Sequence, residues 1–501
     1  MRRWLVAAAL LLIPLIVYWS TASYEYGFRD DYAHLREVRE RPGWLTELTS
    51  SNGRPIYGVV LEASLQGIYQ VQELEVLRFA STVLLAVVGL LLWWHLRRTG
   101  WSEAEAATLG LAATLLPGAQ VVVGWAIAWP IALSLVAAVA GFALIDRALE
   151  QKGLTSAFGL AAGCTFYLVA GLTYQTSVLF AVMPLAAGLL LRGASTKRAD
   201  TTWTLVHLAA MFGSLLAGFV VMLLVFTEGV VPEAARMQIE PHPFIKLLWF
   251  LRNPLPNSVA LFALRDSLAT PPWFWLVVAA VAAVAVLGFV HGTKSAWERW
   301  RWLFAALVLP FLAHSVSLAA SSQAIGYRTL LPLSGLFLVL FVFGCRSVLA
   351  RLPSRRAVEA IALGALILIG AVLARHHSLT LIAVPQGNEW QLFQTAVSRL
   401  PVGRGTSVYI VRPTMSYRST ERIYADEYGS LSADAQWAAL EMFRAAVRKR
   451  FPQGLPEGTS YTLTTSVTPP IMPYDLVLDL RELKNQGERA PGPVQTSASG
   501  H

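Results

Sequence analysis

The sequence predicts a mainly α protein: a polytopic transmembrane helical bundle of about eleven spans, with a small extracytoplasmic α/β domain at its C-terminal end. Three observations lead there. Of the 501 residues, 55% are hydrophobic and only 14% charged, whereas soluble domains carry about a quarter charged residues. Apolar runs long enough to cross a bilayer as helices, about 17–25 residues, recur along the chain. Beyond residue 376 the pattern changes to amphipathic helices and short alternating strands.

The runs fall at 4–20, 76–95, 103–118, 124–146, 155–171, 174–192, 203–226, 272–291, 301–319, 329–345 and 357–375. The first also resembles a signal peptide, with Thr21, Ala22 and Ser23 as a small-residue cleavage site; we read it as a retained helix. The pairs within 103–146 and 155–192 have very short connections, and a re-entrant hairpin there would leave the parity unchanged.

Positive charge sets the orientation. With the N-terminus in the cytoplasm, alternate loops carry Arg2 and Arg3, Arg97 and Arg98, Arg147 and Lys152, then Arg192, Lys197 and Arg198. Lys294, Arg299 and Arg301 follow, and then Arg346, Arg351, Arg355 and Arg356. Every one of these loops is short and basic, which is the positive-inside pattern. The net charge of +9 therefore lies in topogenic clusters and forms no continuous basic face, which excludes nucleic acid as a partner. The 17 Trp and 15 Tyr suit anchoring at two membrane interfaces. Cys164 and Cys345 lie in or beside apolar runs without a CxxC pair, which excludes redox and zinc-ribbon chemistry.

Three regions then lie outside the cytoplasm: ectoloop one, 21–75; ectoloop two, 228–271; and everything after 376. The transmembrane module is 1–375 and the α/β domain 376–484. In that domain NEWQLFQTAVSRL and SADAQWAALEMFRAAVRKR read as helices, and TSVYIVRP, TSYTLTTSVT and YDLVLDL as strands. The tail 485–501 has too few apolar residues to fold and reads as disordered. The short loops and periplasm-like exterior fit a bacterial inner membrane.

No Walker loop, GxGxxG, HExxH or GxSxG stands in a suitable context, so ATP-driven transport, zinc proteolysis and serine hydrolysis lose their markers. The chemistry that remains is polar groups displayed on the outer side. Asp30 and Asp31, in FRDDYAHL, follow the first span. A carboxylate at the mouth of a bundle can act as general base towards an acceptor hydroxyl or amine, and adjacent acids raise one another's pKa. The bland alternative is a hydrated loop in which Arg29 pairs the acids. Of the two, Asp31 is the favoured base.

Arg328, in SSQAIGYRTLLPL with Gln323 and Tyr327, precedes the tenth span without an acidic neighbour in sequence. A lone arginine at that depth is costly unless it meets an anion, and its planar fork suits phosphate; snorkelling to the interface is the alternative. Arg54 sits in a tight turn between Gly53 and Pro55. Lys246 and Arg252 flank a short apolar segment between prolines, re-entrant or interfacial, where they could hold a lipid phosphate or merely anchor the segment. His242, Tyr174 and Gln175 complete the candidates, each of which could equally be a packing or loop residue. His376 and His377 do not read as metal ligands. Together these groups suggest a lipid-linked anionic donor meeting an acceptor outside the cytoplasm, with the donor's own phosphate bond supplying the activation.

At this point the chain resembles the GT-C superfamily of integral-membrane glycosyltransferases, on FRDDYAHL after the first span, GRPIYG later in the same loop, and GYRTLLPL before a late span. The acidic pair followed by GRP is most similar to the bacterial branch with the serotype-converting O-antigen glucosyltransferases. The resemblance implies a polyprenyl-phosphate sugar donor, a cell-surface glycan or protein acceptor, Asp30 or Asp31 as catalytic acid/base, and Arg328 on the donor phosphate. Some members use a divalent ion such as magnesium or manganese and others do not, so no cofactor is fixed and no metal ligand is assigned. The alternative of a flippase, polymerase or transporter of lipid-linked saccharides would place polar residues within the spans near the midplane, whereas here they collect at one face. A non-catalytic scaffold leaves the outer acids and arginines unexplained.

Overall fold

The computed structural model describes residues 3–192, 197–227, 229, 238–265, 272–323, 326–413, 427–481 and 483. It is a bundle of apolar helices with a small three-stranded sheet at the C-terminal end. Helix α1 (Arg3–Ala22) leads into ectoloop one, which folds into three short helices: α2 (Asp30–Glu40), α3 (Trp44–Ser51) and α4 (Pro55–Leu65). Gly43 at φ +86° breaks the chain between α2 and α3, and Gly53 at φ +72° does so between α3 and α4, a backbone region that disfavours residues with a Cβ. Pro55, which needs no N–H partner, then opens α4. Leu61 and Leu65 turn inward from α4 and are fully buried. The next helix, α5 (Glu75–Leu96), returns through the bundle.

Among the described residues, eight helices are long and apolar enough to cross a membrane. A ninth span forms if Glu103–Leu115 and Pro117–Gly124, bent by 50° at their junction, count as one. Two of the eleven expected runs are divided differently. Run 174–192 is a shorter helix, Gln175–Leu191, and run 301–319 is broken into Ala296–Leu303, a π-helical turn at Phe304–Val308, and two five-residue helices. Apolar length alone does not register these breaks. The helices Lys197–Phe226 and Pro272–Gly292 expose Leu216, Leu224, Leu276 and Val286 on faces suited to lipid. By contrast α5 crosses Glu103–Leu115 so closely that a Cβ on Gly89 would stand 2.9 Å from the Gly110 carbonyl oxygen, the small-residue contact typical of membrane helices.

The segment Arg356–Ser398 is one continuous helical path of 43 residues. At about 1.5 Å per residue it is roughly twice the thickness of a hydrocarbon core, so the run expected at 357–375 and the helix expected from 388 are a single rod. Pro385 and Gly387 suggest a break in the sequence, but a π-helical turn at Leu379–Ala383 takes up the irregularity. The rod ends beside a parallel sheet of β1 (Gly405–Val411), β2 (Ser460–Ser466) and β3 (Leu476–Asp479), in the order β2-β1-β3. Tyr409 pairs with Thr464 on one side and Val477 on the other. The helix Gln436–Arg450 supplies the crossover that parallel strands require. The tail 485–501 lies outside the described residues.

Candidate functional site

The acidic pair sits at the start of α2, where a strained residue sets its orientation. Arg29 has φ +43°, a conformation that costs of order 1–3 kcal/mol in a residue with a Cβ. It is held there by two long-range contacts: its N–H donates to Ser432 Oγ at 2.8 Å, and its guanidinium pairs with Asp434 at 3.2 Å. The turn brings both acids into the first turn of a helix, where the N-terminal dipole favours negative charge.

The two carboxylates have different surroundings. Asp31 is fully buried. Its Oδ2 accepts the Phe28 N–H at 2.7 Å and its Oδ1 accepts the Ile127 N–H at 3.1 Å. Burial pushes its carboxyl up from 3.8 to about 7, against the pull of those two N–H groups and of Arg78, with Asp30 adding to the rise. Asp30 is only half-buried, and its side chain makes no hydrogen bond or ion pair among the described residues.

Around Asp30 the structure gathers groups far apart in sequence. Tyr57 on α4 lies within electrostatic reach of Arg54, Tyr174, Arg328 and Asp30, and burial raises its hydroxyl. That hydroxyl donates to the Ile127 carbonyl at 2.6 Å, so the segment anchored by Asp31 is also held from α4. Arg54 lies over the Tyr174 ring at 4.5 Å and donates to Gln175 Oε1 at 3.0 Å, while Gln175 Nε2 returns to the Asn52 and Gly53 carbonyls. Arg328 lies over Trp125 at 4.8 Å, and Trp125 meets Phe28 edge-on at 4.9 Å.

Arg328 also has an acidic neighbour, which corrects the expectation from its local sequence. Glu427, ninety-nine residues on, is buried and pairs with it at 3.0 Å. Glu427 begins a strap, 427–434, laid between the long rod and the bundle. Tyr428 donates to the Pro117 carbonyl at 2.7 Å and lies 2.8 Å from Gln120 Oε1, and buried Glu389 accepts the N–H groups of Ser432 and Ala433 at 2.8 and 2.9 Å. Tyr327 meets Tyr428 edge-on at 5.4 Å, and its hydroxyl lies 3.2 Å from Asn257 Oδ1.

Ectoloop two meets these groups through Asn257, at the Tyr327 hydroxyl. Lys246 is buried on the helix Pro243–Arg252 and gives its ammonium to the Ala320 and Ser322 carbonyls at 2.8 and 2.7 Å, which is a structural role in place of the expected phosphate contact. Arg252 and His242 are exposed. The helix itself leaves Phe244, Ile245 and Leu248 exposed, the character of an interfacial segment.

Several residues of the site were not singled out from the sequence. Arg78 is fully buried and donates to the carbonyls of Ala22, Tyr24 and Tyr26 at 3.0, 2.7 and 3.0 Å, fixing the chain that leads into the acidic pair. Its signal was available: an arginine inside an apolar run marks a site or a buried network. Tyr57, Trp125 and Glu427 carry no comparable local signal.

Both Asp31 oxygens face N–H donors, Asp30 is then the one open carboxylate of the pair, and no group of three or more His, Cys, Asp or Glu among the described residues could hold a metal ion. The geometry offers one unpaired carboxylate and two aromatic-backed arginines, all within electrostatic reach of Tyr57.

No protein-family model matches the chain, and no curated protein does. Among solved structures it is similar to the archaeal oligosaccharyltransferase AglB from Archaeoglobus fulgidus in complex with an inhibitory peptide and a dolichol-phosphate, at 10% identity and a TM-score of 0.43, with 88% of this chain and 63% of that chain covered. It is likewise similar to the Archaeoglobus fulgidus oligosaccharyltransferase in complex with zinc and sulfate, at 12% identity and a TM-score of 0.43, with 88% and 61% covered. The chain thus spans under two thirds of the length of either.

Proposed function

We propose that the chain is an integral-membrane glycosyltransferase that moves a sugar from a polyprenyl-phosphate donor to a cell-surface glycan or protein, on the extracytoplasmic face of a bacterial inner membrane. One observation carries this reading: the unpaired Asp30 carboxylate, Arg54 and Arg328 all lie within electrostatic reach of the Tyr57 hydroxyl. A base and phosphate-binding cations at one membrane edge are what such a transfer requires.

In the proposed reaction Asp30 takes the proton of the acceptor hydroxyl or amide as that group bonds to the anomeric carbon. The bond from that carbon to the phosphate oxygen breaks, and the leaving polyprenyl phosphate keeps the electron pair. Arg328 and Arg54 stabilise the charge growing on it, as preorganised donors do in a site shielded from water. Asp31 is a positioning residue: with both oxygens on backbone N–H groups and no exposed surface, it holds the 28 and 127 segments and leaves the proton transfer to Asp30. This reverses the preference for Asp31 drawn from the sequence. The orientation, with α2 and the sheet outside and the N-terminus in the cytoplasm, is carried over from the charge pattern of the loops.

The test is transfer from a purified polyprenyl-phosphate sugar by the full chain in liposomes. Release of free polyprenyl phosphate in step with a glycosylated acceptor is expected. Movement of the intact donor between leaflets without its cleavage would instead identify a flippase or transporter and defeat the proposal.

A further inference from the structure

The helices that frame the acidic pair also carry a second polar cluster at their other ends. Arg78, beside the 22–26 carbonyls, and His95 are both on α5, seventeen positions apart. Ile127, bonded to Asp31, precedes the helix Trp129–Leu149 that carries Asp146. At about 1.5 Å per residue either interval is roughly the thickness of a hydrocarbon core, so the second cluster lies at the opposite membrane face.

A cavity of about 690 Å³ opens there, within the range of small-molecule sites, about 300–1,000 Å³. Its charged lining is Arg98, Arg147 and Arg192 against Asp146 and Glu150. Asp146 is already well supplied with donors: Trp203 Nε1 at 2.6 Å, with His207 at 3.6 Å, His95 at 3.8 Å and Arg192 at 4.0 Å. Arg98 and Arg147 make no ion pair among the described residues and are exposed. Arg98 lies over Trp94 at 4.1 Å and Arg192 over Trp203 at 4.5 Å. A guanidinium stacked by its face keeps its N–H edge available to oxygen. His95 lines the same cavity, is 4% exposed, and its buried Nε2 faces Asp146 Oδ2 at 3.8 Å, too far for a hydrogen bond, so its hydrogen-bonding capacity is unfilled. An unsatisfied buried ring nitrogen is uncommon unless a ligand or water completes it.

We infer that this cavity is a second binding site, for a phosphate ester, with Arg98, Arg147 and Arg192 on the phosphate oxygens and His95 Nε2 on an adjoining oxygen. Its level in the membrane makes a glycerophospholipid head group the favoured source, its acyl chains running down the exposed helices, and a soluble phosphate ester the other. The inference is independent of the reaction proposed for the acidic pair.

Native mass spectrometry of the delipidated full chain tests it with three probes: phosphatidylglycerol, diacylglycerol with the same tails, and glycerol phosphate. Phosphatidylglycerol is expected to bind well above diacylglycerol and to lose at least about tenfold in affinity in R98A/R147A, since each charge-assisted contact is worth about that factor. Both positions are exposed, so the variant is expected to fold, which an unchanged melting temperature checks. Glycerol phosphate binding that shows the same loss would support the site and identify the soluble source. Binding of the phosphate probes that R98A/R147A leaves unchanged, or that diacylglycerol equals, would overturn it.

Discussion

The Asp31 carboxylate accepts the backbone N–H of Ile127, ninety-six residues away, at 3.1 Å, and so ties the loop after the first helix to the turn between two helices of the bundle. Its other oxygen holds Phe28. The adjacent Asp30 has neither bond. One motif thus contains an acid that builds the site and an acid that is open to it.

Substituting each in turn separates the roles. D30N is expected to reduce sugar transfer by about a hundredfold or more, the usual contribution of a general base, with the melting temperature unchanged. D31N places an amide against two N–H donors, and only one can be accepted, so a buried donor loses its partner at about 1–3 kcal/mol. A lower melting temperature is expected there, with partial activity. Stability assays and initial rates on both variants check this, and the reverse pattern would return the base role to Asp31.

The elevated Asp31 carboxyl has a consequence for pH. Its folded value, about 7, lies above the ordinary 3.8, so between these values the folded state holds a proton that the unfolded chain has released. Stability from this group is therefore fully present below about pH 4 and is lost as pH rises through about 7. The difference in melting temperature between the wild type and D31N is expected to change across that window and to be flat on either side. Parallel melts over pH 4–9 measure it.

Arg328 and Glu427 form the second testable pair. R328A is expected to raise the KM for a polyprenyl-phosphate donor about tenfold or more, the loss of one charge-assisted bond. E427Q removes the competing charge while keeping an acceptor for the Tyr327 N–H, so donor KM is expected to fall by a small factor, about two- to fivefold. Donor titrations of the two variants decide it; a rise in both would make Glu427 a support for Arg328 in place of a competitor.

Lys246 is expected to behave as a structural cation. Burial lowers its pKa, with Glu240 at 4.0 Å opposing the shift, and its ammonium satisfies two carbonyls. K246M leaves those carbonyls unpaired, so a lower melting temperature is expected with donor KM unchanged within about twofold. Kinetics and melts on that variant distinguish this from a phosphate contact.

The two-part architecture was legible because lipid solvation and strand alternation leave marks in composition and period. The strands around Tyr409, Leu463 and Leu478 were read close to where they lie. The turn at Tyr174 fell between two of the runs, but other breaks in the bundle were not legible, since Leu116 and the turn at Phe304–Val308 interrupt helices without interrupting apolarity. The clustering of Arg54 with Tyr174 and Gln175 depends on contacts across more than a hundred residues, which no local pattern encodes. Glu427 is harder still, because only the folded strap places it against Arg328. Arg78 was the exception, a charge in an apolar run whose oddity was visible and passed over.

The strap also orders events in time. Chains emerge from the N-terminal end first, so the acidic motif is made, and its helix inserted, long before its supports exist. Arg29 awaits Ser432 and Asp434, Arg36 awaits Glu441, and Glu25 awaits Lys449, each some four hundred residues behind. The strained turn at Arg29 can therefore close only after synthesis has passed Asp434, more than four hundred residues on, and that segment has reached the acidic motif. Until then the nascent protein lacks the contacts that hold the acidic pair, so that pair matures late.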